Sequence, residues 1–316
     1  MKVLFIAPRY TGGIGGHAAR IARKLNEHGF DVKLMHAPHI PIRNLKNPSF
    51  ALLSTLKASI DRQHYDIVHA FNVPSTFAMR AVKAKKKVLS IHGVYAEQVG
   101  KIHSTTTKKI VDIAEPNILR WPDKITTDSK AVQKAYKEKL GFDLEYLPAP
   151  LDTSLFNDIP DVPKIGNQVV YVGRDSLEKG IDILRSIESR IKGKVVYCTN
   201  VSWKEAMMTL RASDLLVVPS RMESIPQVIK EAYYFRVPVV ATNVGGIPEI
   251  ITHNVTGILI PPNEPKKLAD AINEILENKE FAKKLSDVGY EYLMKNFTCD
   301  VLMPKYINFY ENLLKN

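Results

Sequence analysis

The chain has 316 residues, 45% hydrophobic and 24% charged, a globular composition with room for two ordinary domains. Its two cysteines, Cys198 and Cys299, stand far apart without partners at metal-ligand spacing, which argues against a disulfide framework or a zinc site and fits a reducing compartment. The first apolar run stops at Pro8, too short for a signal-peptide core, and no stretch nears the roughly 18 apolar residues of a membrane span, so the expected location is the cytoplasm.

The net charge of +11 is one-sided: residues 1–150 carry 24 Lys+Arg against 12 Asp+Glu, and residues 151–316 carry 20 against 21. An excess confined to one half suggests an anionic partner there, a membrane surface, a nucleic acid or an acidic substrate; a merely solvated lysine-rich surface is the plainer reading.

In chain order, residues 2–7 read as a buried strand ended by Pro8. Ala18, Ile21, Ala22 and Leu25 then recur at helical spacing up to Gly29, and residues 32–35 form the next strand. Residues 66–69, 87–91 and 124–127 are further short strands. Between them Phe50, Leu53, Leu56 and Ile60 line one face of a possible helix, and the run 80–87 is cationic. Proline density rises around 148–163, and the alternation then restarts with strands at 168–172, 194–198, 214–218, 237–241 and 257–260. Helices are expected at 180–191, 203–211 and 227–235, with three closing helices near 264–277, 279–295 and 299–315. Alternating strands and helices argue for parallel sheets covered on both faces, with a ligand cleft at the carboxyl ends of the strands.

Two segments carry chemistry. Gly12-Gly13-Ile14-Gly15-Gly16-His17-Ala18 joins the first strand to its helix; read from Gly13 it fits G-x-G-x-x-A, yet the second strand has no acid at its end to hold a dinucleotide ribose. What survives is a backbone able to approach an anion at a helix N-terminus. In the second half, Arg174 and Lys179 follow a strand, where phosphate ligands sit. Glu223 lies in the loop after a later strand and Glu231 inside the next helix, seven residues between them; such carboxylates can accept hydroxyl hydrogen bonds from a sugar or ribose. No D-x-D motif occurs, so a metal clamp is not signalled and no cofactor is expected.

Residues 212–262 resemble the donor-binding core of the family 4 retaining glycosyltransferases, which have the GT-B fold. The matching elements are the Glu223–Glu231 pair, Val172-Gly173-Arg174 with Lys179-Gly180, Pro238-Val239-Val240-Ala241, Gly245-Gly246-Ile247-Pro248-Glu249 and Thr256-Gly257-Ile258-Leu259-Ile260. The first half is similar more loosely, through residues 12–16, Asp66-Ile67-Val68-His69-Ala70, Ile91-His92-Gly93 and 123–129. The resemblance implies an α/β chain of two Rossmann-like domains with a cleft between them: an acceptor-side domain at 1–150, a nucleotide-sugar domain at 151–298, and a C-terminal helix at 299–316 packing back on the first. It further implies that Arg174 and Lys179 neutralise the donor diphosphate and Glu231 holds the ribose. Glu223 would contact the transferred sugar, with Ser224 and Ile225 offering backbone N–H groups. Gly12, Gly13, Gly15 and Gly16 would close on the diphosphate, and His92 would sit close to the sugar. The co-substrate would be a nucleoside-diphosphate sugar and the acceptor a hydroxyl of a glycan, a lipid or a small molecule, with peripheral contact between the basic half and an anionic membrane. This sequence departs from the family's pattern in three places. About one strand–helix unit is missing after residue 199, where the family frames the nucleotide base; Arg236 stands where glycine is frequent; and Ile225-Pro226 replace a frequent Gly-Phe. Other readings of the same elements are a nucleotide-sugar epimerase or a glycoside phosphorylase of the same fold. A basic non-enzymatic nucleic-acid binder would leave Glu223 and Glu231 without a role, and no nucleic acid is expected.

Overall fold

Short runs of Val, Ile and Leu bounded by Gly or Pro are long enough to cross a sheet and too apolar to face water, so they pack as interior strands between helical layers. In the computed structural model, which describes residues 1–8, 13–40, 42, 46–93 and 105–315, they form two α/β units. Unit 1 comprises residues 1–149 and 302–316, and unit 2 residues 150–301.

In unit 1 the strands are β1 (Lys2–Pro8), β2 (Asp31–Ala37), β3 (His64–Ala70), β4 (Lys83–Ile91), β5 (Lys124–Thr127) and β6 (Glu145–Tyr146). The helices between them are α1 (Gly13–Glu27), α2 (Lys46–Ser59), α3 (Thr76–Ala81), α4 (Thr105–Ile118) and α5 (Lys130–Leu140). The strands are ordered β2-β1-β3-β4-β5-β6, every pair parallel. Unit 2 repeats this arrangement with β7 (Gln168–Val172), β8 (Lys194–Cys198), β9 (Leu215–Val218), β10 (Val239–Thr242) and β11 (Ile258–Ile260). Its helices are α6 (Ile181–Ser186), α7 (Trp203–Ala212), α8 (Gln227–Tyr234), α9 (Pro265–Glu277) and α10 (Lys279–Asn296). The last helix, α11 (Cys299–Lys315), begins in unit 2 and belongs to unit 1 from Leu302 onward. The order β11-β10-β9-β7-β8 is again wholly parallel.

Both sheets therefore share one topology. The chain lays its second strand on one side of the first and its third on the other, so the order reverses between β1 and β3 and between β7 and β9. At such a switch point the two connections leave in opposite directions, and a crevice opens beyond the carboxyl ends of the strands. In unit 2, β8 is the edge strand and leads through α7 straight to β9, a single crossover where the sequence suggested a lost strand–helix unit.

The strand boundaries fall within a few residues of those expected, and three local features differ. The helix expected at 180–191 is broken: α6 stops at Ser186 and a 3₁₀ turn, Glu188–Arg190, completes the connection. Arg236 sits in the left-handed region at φ 52° just past α8, a conformation that favours glycine, the residue expected there from the resemblance. An ion pair with Asp287 at 2.6 Å and the Tyr290 ring 3.9 Å away offset its strain. On α2, Phe50 faces inward with Ser54 and Ala58, whereas Leu52, Leu56 and, just past the helix end, Ile60 face solvent, so the outward stripe is not the one the spacing suggested. The run 80–87 forms much of β4, with Lys85 paired to Asp66 at 2.7 Å and Arg80 stacked 4.6 Å over Trp121. Cys198 and Cys299 are both buried free thiols.

A buried polar chain ties α11 to the sheet of unit 1. Tyr310 Oη lies 2.6 Å from His69 Nδ1, His69 Nε2 lies 2.7 Å from Ser90 Oγ, and Ser90 Oγ lies 2.6 Å from Thr126 Oγ1. Burial pushes the His69 imidazole down to about 3 from 6.5, so it stays neutral in the folded chain while the unfolded chain binds a proton below its ordinary value. Stability is therefore full above pH 6.5 and is lost as pH falls toward about 3. The loss attributable to His69 reaches about 2 kcal/mol by pH 5. Urea unfolding of a Trp203→Phe chain, in which Trp121 is the remaining indole of two, should show this slope in unit 1. Adding His69→Asn should flatten it; an unchanged slope would assign the acid sensitivity to other groups.

Candidate active site

The connections leaving β7 and β9 flank the switch point of unit 2, and their loops carry Arg174, Lys179, Glu223, Ser224 and Ile225 of the residues singled out in the sequence. Lys179 and Gly180 close a 3₁₀ turn after β7, with Gly180 at φ 67°; a Cβ there would fall 1.9 Å from the Pro219 carbonyl oxygen, so glycine is required for this turn to lie against the end of β9. That approach delivers Lys179 Nζ to Glu223 Oε1 at 2.6 Å, an ion pair bridging 44 positions of chain. Ser220 Oγ donates to the same oxygen at 2.8 Å.

Arg221 fastens the two connections together. Its backbone N–H donates to Glu178 O at 2.9 Å, Nη1 reaches Leu177 O at 2.6 Å, and the guanidinium grips Asp182 at 2.6 and 2.8 Å. That hydrogen-bonded guanidinium holds the Asp182 carboxyl below the usual carboxylate range. A third connection, after β10, locks onto the second. Gly245, at φ 54°, lies so close that a Cβ would stand 1.8 Å from the Glu223 carbonyl oxygen, and Gly246 N–H donates to Ser224 O at 2.8 Å. Glu223 is thus held at its backbone by one loop and at its carboxylate by another.

Arg174 leaves the end of β7 with its carbonyl pinned by Tyr171 Oη at 2.7 Å; its side chain is 72% exposed and pairs with Glu178 at 3.0 Å. Ile225 is buried below the loop. Pro226 caps α8 without a side-chain acceptor, and its carbonyl accepts the Ile229 N–H at 3.3 Å. Glu231 lies just over one turn into α8, where its Oε1 accepts the Trp203 indole N–H at 3.0 Å.

In unit 1, Gly13 opens α1 at φ 57°, and Gly15 and Gly16 are buried in its first turn; Gly12 lies outside the described residues. His92, at the end of β4, donates from Nδ1 to Asp128 Oδ2 at 3.0 Å, and its ring meets the buried His17 ring edge-on at 5.3 Å. His17 in turn packs against Phe71, which follows β3, so this cluster gathers at the switch point of unit 1. His17, Asp128 and Ser220 escaped the sequence reading as site residues, and Trp203 entered it only as a doubtful base contact within 200–203. His17, Asp128 and Trp203 acquire their places from partners distant in sequence, Ser220 from Glu223 three positions on in its own loop, and the Ser129 cap of α5 beside Asp128 left a local mark.

Two parallel α/β units of one topology, with a cation, an acid and two glycine-bearing loops at the switch point of the second, define a glycosyltransferase of the GT-B type. The group 1 glycosyl transferases match residues 184–292, and Glycosyltransferase Family 4 matches residues 11–155. An uncharacterized glycosyltransferase of Methanocaldococcus jannaschii is 25% identical over 360 aligned positions, covering 99% of both chains. Among solved structures, the sucrose-phosphate synthase of Thermosynechococcus elongatus superimposes with a TM-score of 0.83 at 17% identity, over 99% of each chain. HepE of Anabaena in complex with UDP-glucose superimposes with a TM-score of 0.72 at 18% identity, over 99% of this chain and 100% of that one. The chain belongs to the family 4 glycosyltransferases.

Gly245→Ala tests the local architecture. The added methyl must displace the Glu223 backbone in a conformation unfavourable to alanine, at an expected cost of roughly 2–4 kcal/mol. Unfolding of unit 2, followed by Trp203 fluorescence in a Trp121→Phe chain, should shift accordingly. A loss below about 0.5 kcal/mol, the scale of an ordinary surface change, would mean the two loops are not locked.

Proposed function

We propose that this glycosyltransferase moves a sugar from a nucleoside-diphosphate donor, held at the switch point of unit 2, to an acceptor hydroxyl with retention of anomeric configuration. The observation that supports it best is the Lys179–Glu223 pair: a cation and a sugar-binding acid on separate connections, 2.6 Å apart beyond the carboxyl ends of the strands. HepE, of the same fold, was solved with UDP-glucose.

In this reading the leaving group dictates the chemistry. As the anomeric C–O bond breaks, its electron pair passes to the diphosphate, and preorganised positive charge at that point lowers the barrier most. Arg174, Lys179 and the N–H groups opening α8 supply it, with Ser224 and Ile225 N–H groups beside the sugar, and no metal clamp is required. Glu223 orients the sugar through its hydroxyls. The acceptor oxygen bonds to the anomeric carbon on the face the diphosphate leaves, and its proton passes to a phosphate oxygen. Glu231 accepts the ribose hydroxyls. Gly12, Gly13, Gly15, Gly16 and His92 belong to the acceptor-side contribution, with Asp128 fixing the His92 ring.

Thermal unfolding with UDP, GDP and ADP sugars identifies the donor class. At a hundredfold excess over Kd the correct donor adds about 2.7 kcal/mol, several degrees in Tm. Lys179→Met should abolish the shift and lower turnover by roughly 10²-fold, while EDTA should leave turnover intact. Shifts with none of the donors, or equal shifts in Lys179→Met, would refute the assignment.

The acceptor side has its own supporting observation. The exposed stripe Leu52, Leu56 and Ile60, beside Lys57 on a unit with a large positive excess, suits a peripheral seat on an anionic membrane that presents a lipid acceptor. The chain should co-sediment with phosphatidylglycerol vesicles and not with phosphatidylcholine vesicles, and Leu52→Glu with Leu56→Glu should release it. Failure to sediment at low salt would remove the lipid surface and leave a soluble acceptor. Among the described residues no helix is long and apolar enough to cross a membrane.

A further inference from the structure

Past the edge strand β8 the chain turns at Asn200, held at φ 58°, and enters α7 directly, with Ser202 Oγ capping the helix through Glu205 N–H at 3.1 Å. The cap fixes the next residue, Trp203, as the first of the helix. Its indole is 39% exposed and is braced by Phe156 at a ring separation of 5.5 Å. Phe156 is itself buried, stacked on Tyr234 at 4.3 Å and edge-on to Phe235 at 5.1 Å, both at the end of α8. The indole N–H then donates to Glu231 Oε1 at 3.0 Å, 28 positions along the chain.

A Glu side chain on a half-exposed helix face samples several rotamers, whereas a ribose diol needs a carboxylate held in one orientation. An indole N–H is a directional neutral donor that holds one carboxylate oxygen in place. The direct passage from β8 into α7 is what brings an aromatic residue to this place.

We propose that Trp203 is a positioning residue of the nucleoside subsite: its indole N–H, braced by the Phe156–Tyr234–Phe235 cluster, sets the Glu231 carboxylate to receive the ribose hydroxyls. The inference rests on the donor reading above and assigns Trp203 a role that reading lacks.

Calorimetric titration of the full chain with UDP, GDP and ADP, and with the 2′-deoxy form of whichever binds best, provides the test. Wild type should prefer the ribonucleotide. Trp203→Phe, which keeps a ring and removes the donor, should weaken the ribonucleotide roughly tenfold and leave the 2′-deoxy form unchanged. In a Glu231→Gln chain the ribose preference should vanish, and adding Trp203→Phe should then change nothing. Equal weakening of ribo and deoxy forms, or a full Trp203→Phe effect in the Glu231→Gln background, would show that the ring acts by packing and would overturn the proposal. Binding of none of the three nucleotides by wild type would overturn the donor reading itself.

Discussion

The ion pair between Lys179 and Glu223 joins the connections that follow β7 and β9. It forms because a parallel sheet whose order reverses between β7 and β9 sends two connections past the same edge in opposite directions. Their approach is close enough for a salt bridge only where side chains are absent. Gly180 lies against the end of β9 and Gly245 lies against Glu223 itself, at distances no Cβ could occupy. The glycines common in this fold therefore set the separation between a cation and an acid, and Arg221 keeps that separation from relaxing by fastening both connections to Asp182. The Lys179 and Glu223 side chains are 23% and 10% exposed; on the proposed donor reading, a ligand carrying negative phosphate and sugar hydroxyls would replace each partner's contact with one of its own.

The two units apply one topology to different electrostatic ends. Unit 2 is nearly balanced in charge and concentrates its polar groups at the switch point, while the first half carries the whole positive excess. Unit 1 places a buried His17–His92–Asp128 cluster at the corresponding edge. It also holds the end of the chain through Tyr310 and His69, at the cost of a histidine that must remain neutral. The family 4 membership accounts for the shared plan.

Much of the fold was legible in the sequence because interior parallel strands are short, apolar and punctuated by Gly and Pro, and the strand positions followed from that punctuation alone. Lys179, Glu223 and Glu231 were legible because their spacing ties them to strand ends and a helix start, positions with a chemical meaning. The partners that hold them were not. Trp203 reaches Glu231 and Asp128 reaches His92 through folded geometry, 28 and 36 positions apart, and the local pattern marks neither contact. The outward face of α2 was misjudged because Phe50, Leu53, Leu56 and Ile60 do fall near one helical stripe, yet packing turned Phe50, Ser54 and Ala58 inward. Arg236 shows the converse: a residue at odds with the glycine of relatives is tolerated in a left-handed position because Asp287 and Tyr290 hold it there.

Amide hydrogen exchange of the full chain, with and without a saturating nucleoside diphosphate, tests the central claim most directly. The account predicts added protection concentrated in the connections that follow β7 and β9 and in the first turns of α8, and its loss in a chain lacking the Lys179 charge. Protection confined to another face of unit 2, or to unit 1 alone, would contradict it.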